Sequence, residues 1–218
     1  MSFFDFKIYD IIILISALLA ISFLLISLKF KNKITILLFC FFCIVFILIL
    51  FFFRNPQRKI NPNDNYILSP CDGKIVSIDK MDNNRTQIYI FLSLFDVHRF
   101  RNPISGKVKT IIYKKGKFNM AFNKKAINEN ESNEIFYEAK NGNIIKIKQI
   151  AGHIARRIFC NIKENDIVNQ GDLFGIISFG SGCLIDMPSN YKLKINEKSK
   201  IKAGLTVIAT VNENKNGK

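Results

Sequence analysis

The residue with the most unusual chemical setting is Ser181, which lies between two glycines in "SFGSGC". The serine-hydrolase pattern G-x-S-x-G has its glycines two positions from the serine, so the adjacent Gly180 and Gly182 do not fit it. Gly180 instead presents an unhindered carbonyl that the Ser181 hydroxyl can attack to give an ester. Elimination from that ester leaves dehydroalanine, which hydrolyses to a pyruvoyl group and ammonia. Ser181 is therefore a candidate for self-processing, with a plain turn residue as the alternative.

Two histidines and one aspartate are the acid–base candidates. His98 ends an apolar run in "FLSLFDVHRFRNP", a position that suits proton transfer near neutral pH. A surface histidine at a strand end is the other interpretation. His153, in "IAGHIARRI", is expected to be structural. Asp72, in "SPCDGK", taken alone is typical of a tight turn.

The adjacent Arg156 and Arg157 could hold a phosphate, because guanidinium groups match phosphate oxygens in geometry. Adjacent residues of a strand point to opposite faces, so we expect at most one of the two to face a given pocket.

The five cysteines do not form a framework. Cys40 and Cys43 form a CxxC pair within an apolar run, without a second pair or a histidine to complete a zinc site. We therefore predict no metal site, and the scattered thiols favour a reducing compartment.

These residues must be positioned by a domain that is mainly β. After the polar linker "RNPQRKINPNDN", short strand-like runs alternate with turn pairs such as Asn141-Gly142 and Gln170-Gly171. The predicted strands cover residues 74–79, 87–93, 106–113, 143–150, 156–162, 173–178, 191–195 and 205–211. Only 119–131 reads as loop-like or weakly helical. The pattern predicts a barrel-sandwich-like domain with some α-helix over residues 54–218.

Residues 1–53 predict a transmembrane α-helical hairpin. The runs at about 11–28 and 34–53 carry no charge and are each about as long as the ~20 apolar residues that span a bilayer. A cleaved signal peptide does not fit, because the second run is too long and lacks a small-residue cleavage site.

From residue 54 onward the chain has 28 Lys and Arg against 15 Asp and Glu, and this net charge of +13 favours an anionic lipid surface as a partner. No helix-turn-helix, RNP or zinc-finger pattern is present, so nucleic acid is not an expected partner. Basic residues after the second run favour a domain on the cytoplasmic face of the cell (inner) membrane, whereas lysines in the "KFKNK" connection favour the reverse. A re-entrant hairpin would ease this conflict, and the orientation stays open.

Five segments in this order, "SPCDGKIVSI", "FLSLFDVHRFRNPISGKV", "GKFNMAFNKKAINENESN", "IAGHIARRI" and "GDLFGIISFGS", resemble phosphatidylserine decarboxylase in its short bacterial and archaeal form. The resemblance runs from about Arg54 to the C-terminus, and the preceding hairpin also matches. It implies a proenzyme that cuts itself between Gly180 and Ser181 into chains 1–180 and 181–218. Ser181 would become a covalent pyruvoyl (pyruvate) cofactor, without pyridoxal phosphate or metal.

The resemblance also implies a reaction and roles for residues. Phosphatidylserine in the membrane would form a Schiff base with the pyruvoyl group, lose CO₂ and leave as phosphatidylethanolamine. His98 would be the proton donor, Asp72 would orient it, and Arg156 or Arg157 would hold the substrate phosphate. Whether the large and small chains assemble further into a homo-oligomer stays open.

The chain departs from the family pattern at two places. Arg101 stands where the long form has a second histidine, to which self-cleavage is usually assigned, and Gly182 stands where short relatives often have arginine. A non-enzymatic membrane-anchored adaptor of a transport complex is the alternative, although the long amphipathic helical hairpin of such adaptors is absent from this sequence. A family member that is inactive or uses another amino-lipid is a third hypothesis.

Overall fold

The computed structural model describes residues 3–119, 125–153, 157–177 and 181–211. The chain divides into two compact units, residues 1–55 and 56–218. Gly180 and Arg156, both singled out by sequence, lie outside the described residues.

The first unit is a pair of apolar helices, α1 (Phe3–Phe30) and α2 (Lys33–Phe52). They run antiparallel. The rings of Phe23 and Phe42 stack with their centroids 4.4 Å apart, and the ring centroids of Tyr9 and Phe53 are 4.6 Å apart. Asn32 caps α2 by accepting a hydrogen bond from the Thr35 amide at 2.9 Å. Both helices are long and apolar enough to cross a membrane, and they leave most of their large side chains exposed.

The first helix is longer than predicted. It starts eight residues before the predicted start at residue 11, because the prediction followed only the uncharged run, whereas a helix can also include the charged residues before that run. The membrane-compatible part is Tyr9–Phe30.

The second unit is mainly β, as predicted. Its elements are β1 (Tyr66–Leu68), β2 (Gly73–Met81), β3 (Arg85–Leu92), β4 (Arg99–Arg101), β5 (Gly106–Lys114), α3 (Lys125–Glu129), β6 (Ser132–Ala139), β7 (Ile144–Ile150), β8 (Ile158–Cys160), β9 (Ile167–Val168), β10 (Leu173–Ile177), β11 (Ser181–Pro188), β12 (Tyr191–Leu193), β13 (Lys200–Ile201) and β14 (Val207–Val211).

The main sheet is curled and has eight strands in the order β13-β2-β3-β11-β7-β6-β5-β9. Two three-stranded sheets, β1-β14-β12 and β4-β10-β8, complete the domain. Alternate side chains of β3, β6, β7 and β11 point to one face and form the buried core, since residues i and i+2 of a strand share a face. The core is dominated by isoleucines such as Ile90, Ile147 and Ile185, each 0% exposed.

Each predicted strand overlaps an observed one. The turn pairs are confirmed at Asn141-Gly142, which joins β6 to β7, and at Gln170-Gly171; Gly142 and Gly171 have φ of 78° and 88°, where a side chain would be strained. Six observed strands were not predicted: β1, β4, β6, β9, β11 and β13.

Candidate active site

Ser181 is the first residue of β11, a strand in the interior of the main sheet. β11 pairs antiparallel with β3 on one side and with β7 on the other, and Ser181 lies opposite Leu92, the last residue of β3. By alternation, Ser181 shares the core face with Cys183. Ser181 is therefore held at the start of a strand that is paired along both edges.

The Ser181 hydroxyl is buried and has no hydrogen-bond partner among the residues that the structure describes. An unsatisfied buried hydroxyl costs about 1–3 kcal/mol, and native proteins retain few such groups. A nucleophile, unlike a structural serine, gains from a hydroxyl that is not already committed as a donor. The arrangement fits conversion of Ser181 into another group.

His98 lies beside β10, the strand that precedes Ser181 in the chain. It directly precedes β4, which pairs with β10, and the Ile177 amide donates to the His98 carbonyl at 3.3 Å. Ile177 is the last described residue before Ser181. The fold thus places His98 beside β10. The loop before His98 begins after the end of β3, which lies beside the start of β11.

The His98 ring is completely buried, and a backbone carbonyl orients it. Its Nδ1 lies 2.9 Å from the Asp96 carbonyl oxygen. A carbonyl oxygen only accepts hydrogen bonds, so this contact needs a proton on Nδ1 and leaves Nε2 of the neutral ring as the proton-accepting nitrogen. A histidine fixed in that tautomer is prepared to act as a base and then as an acid.

The observed contacts of the Asp72 carboxylate are with Arg58 and Ala203. Its carboxylate receives two hydrogen bonds from the Arg58 guanidinium, Nη1 to Oδ1 at 2.6 Å and Nη2 to Oδ2 at 2.8 Å. The Ala203 amide also donates to Oδ1, at 2.8 Å. Orientation of His98 by Asp72 stays a prediction; the observed contacts make Asp72 a clamp between the linker and a segment near the C-terminus.

Arg58 forms a buried ion pair that the sequence analysis missed. It was counted among the basic residues that flank the membrane, whereas its side chain is only 6% exposed and also donates to the Ala203 carbonyl at 2.7 Å. Nothing local distinguishes it from Arg54, because its partners lie 14 and 145 residues away.

Two buried thiols belong to the core that Ser181 faces. Cys71 and Cys183 are both 0% exposed and lie in the same cluster of buried residues. Burial raises the pKa of Cys71 well above its usual value, and the neighbouring Cys183, Asp72 and Asp96 raise it further. Cys71 therefore stays protonated at neutral pH and behaves as a small apolar residue of the core.

Gln149 is a second polar residue near Ser181 that the sequence did not indicate. It pairs with Cys183 on the core face, and its Oε1 accepts from Asn133 Nδ2 at 3.1 Å. Its Nε2 is buried without a partner among the described residues. A buried donor beside the strand that bears Ser181 is suited to meet a developing negative charge.

Gly182 is required by its surroundings. A Cβ at this position would lie 2.4 Å from the Tyr89 hydroxyl and 2.9 Å from Tyr89 Cε2. Tyr89 is 1% exposed, and burial raises its pKa well above the usual value. The tyrosine occupies the space that a side chain after Ser181 would need.

The remaining candidates are further from the chemistry. Arg157 is exposed and directly precedes Ile158, which pairs with Ile177 of β10, so it lies at the same end of that sheet as His98. His153 is exposed, and its Nδ1 lies 3.2 Å from the Phe118 carbonyl oxygen. Among the described residues no cluster of three or more His, Cys, Asp or Glu could hold a metal ion.

Comparison with known proteins identifies the family of this chain. A family profile described as phosphatidylserine decarboxylase matches residues 45–209. A phosphatidylserine decarboxylase proenzyme of Cytophaga hutchinsonii is 43% identical over 172 residues, which cover 76% of this chain and 78% of the relative. That of Wolbachia pipientis wMel is 41% identical over 75% of each chain. A putative archaetidylserine decarboxylase proenzyme of Methanosarcina mazei is 40% identical over 77% of each chain.

These matches make the chain an enzyme of the carboxy-lyase class, produced as a proenzyme and active in phospholipid metabolism. It belongs to the phosphatidylserine decarboxylase family. The non-enzymatic adaptor is accordingly wrong as an interpretation of this chain.

Proposed function

We propose that the chain cuts itself between Gly180 and Ser181, converts Ser181 into a pyruvoyl group, and then decarboxylates phosphatidylserine to phosphatidylethanolamine. The observation that carries this proposal is the fully buried Ser181 hydroxyl without a partner among the described residues, at the end of an interior strand and in the same region as His98. The substrate follows from the names of the relatives.

The processing chemistry balances without an external oxidant. Ser181 Oγ attacks the Gly180 carbonyl carbon, the C–N bond breaks, and the proton from the hydroxyl passes to the amine. Loss of the Ser181 α-proton then expels the Gly180 carboxylate and leaves dehydroalanine. Water replaces its nitrogen, which departs as ammonia. The whole sequence consumes one water molecule and releases one ammonia.

The described residues around Ser181 fit a site for the resulting group. A ketone at the start of β11 would face the core side, where Gln149 offers an unsatisfied donor. Once formed, the pyruvoyl group supplies the electron sink for the electron pair that CO₂ leaves behind. The protein supplies the remainder of the reaction: binding, exclusion of water and movement of protons.

His98 is the proposed proton carrier. Its Nδ1–H is held by the Asp96 carbonyl, so Nε2 can take a proton during processing and return one to the substrate carbon after CO₂ leaves. Because Arg101 replaces the second histidine of the long form, His98 is proposed for both tasks. Asp72 supports the site through Arg58 and Ala203.

The substrate phosphate is assigned to Arg157 or Arg156. The exposed Arg157 lies beside the end of β10 that leads to Ser181, where a headgroup could reach it from outside. Relatives are named for both phosphatidylserine and archaetidylserine, which share a phosphoserine headgroup and differ in their lipid chains. We therefore propose that the headgroup is what the site recognises.

Cutting leaves the small chain in place. β11 belongs to residues 181–218, and it is paired along both edges with β3 and β7 of the large chain. β13 and β14 of the small chain also pair with β2 and β1 of the large chain. The mature enzyme is then two interleaved chains, anchored by the apolar hairpin in the inner cell membrane with the domain on the cytoplasmic face.

Intact-mass spectrometry of the purified protein, beside a Ser181→Ala control, tests the proposal. We expect a small fragment that starts at position 181 and is lighter by one ammonia than a fragment with an N-terminal serine. The control should stay a single chain. An uncut, folded wild-type chain would overturn the proposal, and activity toward phosphatidylserine beside other amino-phospholipids tests the substrate separately.

A further inference from the structure

We propose that the loop of residues 93–97, called here the docking loop, inserts into the surface of an anionic phospholipid bilayer and seats the active site against the lipid. This inference rests on the proposed function, because a lipid substrate is the reason for such a contact. It adds a membrane-binding surface within the β domain, separate from the apolar helices.

The docking loop exposes two adjacent apolar side chains. Phe95 is 75% exposed and Leu94 is 45% exposed. Single exposed apolar residues are ordinary on protein surfaces, so exposure alone carries nothing. What distinguishes this pair is its location three to four residues before His98, on the connection that leads from β3 to the site.

The loop presents these side chains in a fixed conformation. The Asp96 carboxylate accepts from the Ser93 amide at 2.8 Å and from the Ser93 hydroxyl at 2.7 Å. The Asp96 amide donates to the Ser93 carbonyl at 3.0 Å. These bonds close a turn around Leu94 and Phe95, whose side chains are largely exposed.

Exposed lysines lie at the same end of the main sheet. Lys74, the second residue of β2, pairs with Phe91 near the end of β3, and Lys200 pairs with Lys74. Lys115 follows Lys114, which pairs with Ser132 at the start of β6. All three lysines are exposed. Apolar side chains between cations are the combination that binds an anionic bilayer, with the rings below the headgroups and the lysines among them.

A buried site explains the need for such a contact. Ser181 and His98 are both 0% exposed, whereas the substrate headgroup lies at a membrane surface. The docking loop ends at Val97, next to His98. Insertion of this loop into the bilayer would therefore bring the lipid headgroup close to the site. The bilayer is thus the occupant that fits both the charge and the position of this surface.

A tryptophan reporter tests the location directly, because the chain has no tryptophan. Phe95→Trp is compared with Ile167→Trp, since Ile167 is 77% exposed and so matches Phe95. Ile167 pairs with Lys107, near the start of β5 and therefore toward the opposite end of the sheet from Lys114, roughly 20 Å along the strand.

Each full-length variant is placed in vesicles of phosphatidylcholine and phosphatidylglycerol that contain brominated acyl chains. We expect a blue shift and strong quenching for the tryptophan at 95, and neither for that at 167. Equal emission and equal quenching of the two reporters would overturn the inference. Phosphatidylglycerol carries no serine, so the result does not depend on decarboxylation.

Turnover separates this inference from the proposed function. The double variant Leu94→Ser/Phe95→Ser should lose about tenfold or more of its activity on phosphatidylserine in vesicles. It should keep its activity on a short-chain phosphatidylserine below the critical micelle concentration, and Ile167→Ser should keep both. Equal loss on both substrates would contradict a docking role, whereas an inactive wild-type enzyme with a quenched reporter would overturn only the decarboxylase proposal.

Discussion

Arg58 holds Asp72 in a fork-shaped ion pair, with hydrogen bonds of 2.6 and 2.8 Å between the guanidinium and both carboxylate oxygens. Both residues also contact Ala203: the Ala203 amide donates to the Asp72 carboxylate, and Arg58 donates to the Ala203 carbonyl. Under the proposed processing, Ala203 belongs to the small chain. The pair therefore joins the linker, the strand start next to Cys71 and the small chain at one buried point.

Replacing Arg58 should be costly because it leaves the Asp72 carboxylate buried without its partner. We expect Arg58→Leu to lower the free energy of unfolding by about 3–5 kcal/mol. Urea denaturation in a Ser181→Ala background, which keeps the chain in one piece, measures this. Lys140→Ala is the matched control: Lys140 and Asp64 form an ion pair that is 66% and 52% exposed, and its loss should cost about 0–1 kcal/mol. Equal effects of the two changes would contradict the clamp.

His98→Gln should abolish proton transfer while it preserves the size of the buried side chain. We expect the rate of CO₂ release to fall by about 10²–10⁴-fold. The intact mass of the variant gives a second readout. An uncut chain would show that His98 is also needed for self-cleavage. A cut chain with low activity would show that His98 acts only in decarboxylation. His153→Gln, at an exposed position, should change neither. Full activity of His98→Gln would remove His98 from the mechanism.

Gly182→Ala should push against Tyr89, because the added Cβ would lie 2.4 Å from the Tyr89 hydroxyl. Overpacking of this kind costs about 1–3 kcal/mol, and we expect slower cutting because the strain falls next to Ser181. Tyr89→Leu removes the ring atoms that the Cβ would meet. A double-mutant cycle should therefore show a favourable coupling between the two changes. Additive free energies in that cycle would show that the contact with Tyr89 does not restrict the residue at position 182.

The stability of the domain should fall in alkaline solution partly because of Cys71. Burial raises the pKa of this thiol above its value in the unfolded chain, about 8.5, so the folded state holds the proton more tightly. The contribution of Cys71 is therefore constant below that pH and is lost as pH rises above it, by up to about 1.4 kcal/mol per pH unit. Urea denaturation from pH 7.5 to 10 should show a shallower decline for Cys71→Ala. Parallel curves would contradict this assignment.

The sequence was informative where local chemistry determines structure. Long strands with regular apolar spacing, such as β2 and β7, were predicted, and so was the hairpin turn at Asn141-Gly142. Strands of two or three residues such as β4 and β13 show too little alternation to be recognised. β11 was missed for another reason: seven of its eight residues are buried, because both edges are paired and both faces are covered, so it has no polar face.

The site was predictable only in part. Ser181 and His98 stand out by residue type and neighbours, and His98 lies beside β10, the strand that precedes Ser181 in the chain. Asp72 was read as a turn residue and, by resemblance, as a partner of His98; its Arg58 and Ala203 contacts span 14 and 131 residues. Local spacing carries no information about contacts of that range. The Asp96 carbonyl that orients His98 is equally invisible, since every residue has a carbonyl.

Under the proposed cutting, β11 of the small chain lies between β3 and β7 of the large chain, and this position affects how the enzyme folds and refolds. The uncut precursor folds as a single chain, in which β11 finds β3 and β7 by an intramolecular search. After cutting, the same pairing would require two separate chains to meet, so refolding becomes bimolecular and depends on protein concentration. The cut enzyme would keep the sheet although the Gly180–Ser181 bond is gone. Once unfolded, it could no longer refold by the intramolecular pathway of the precursor.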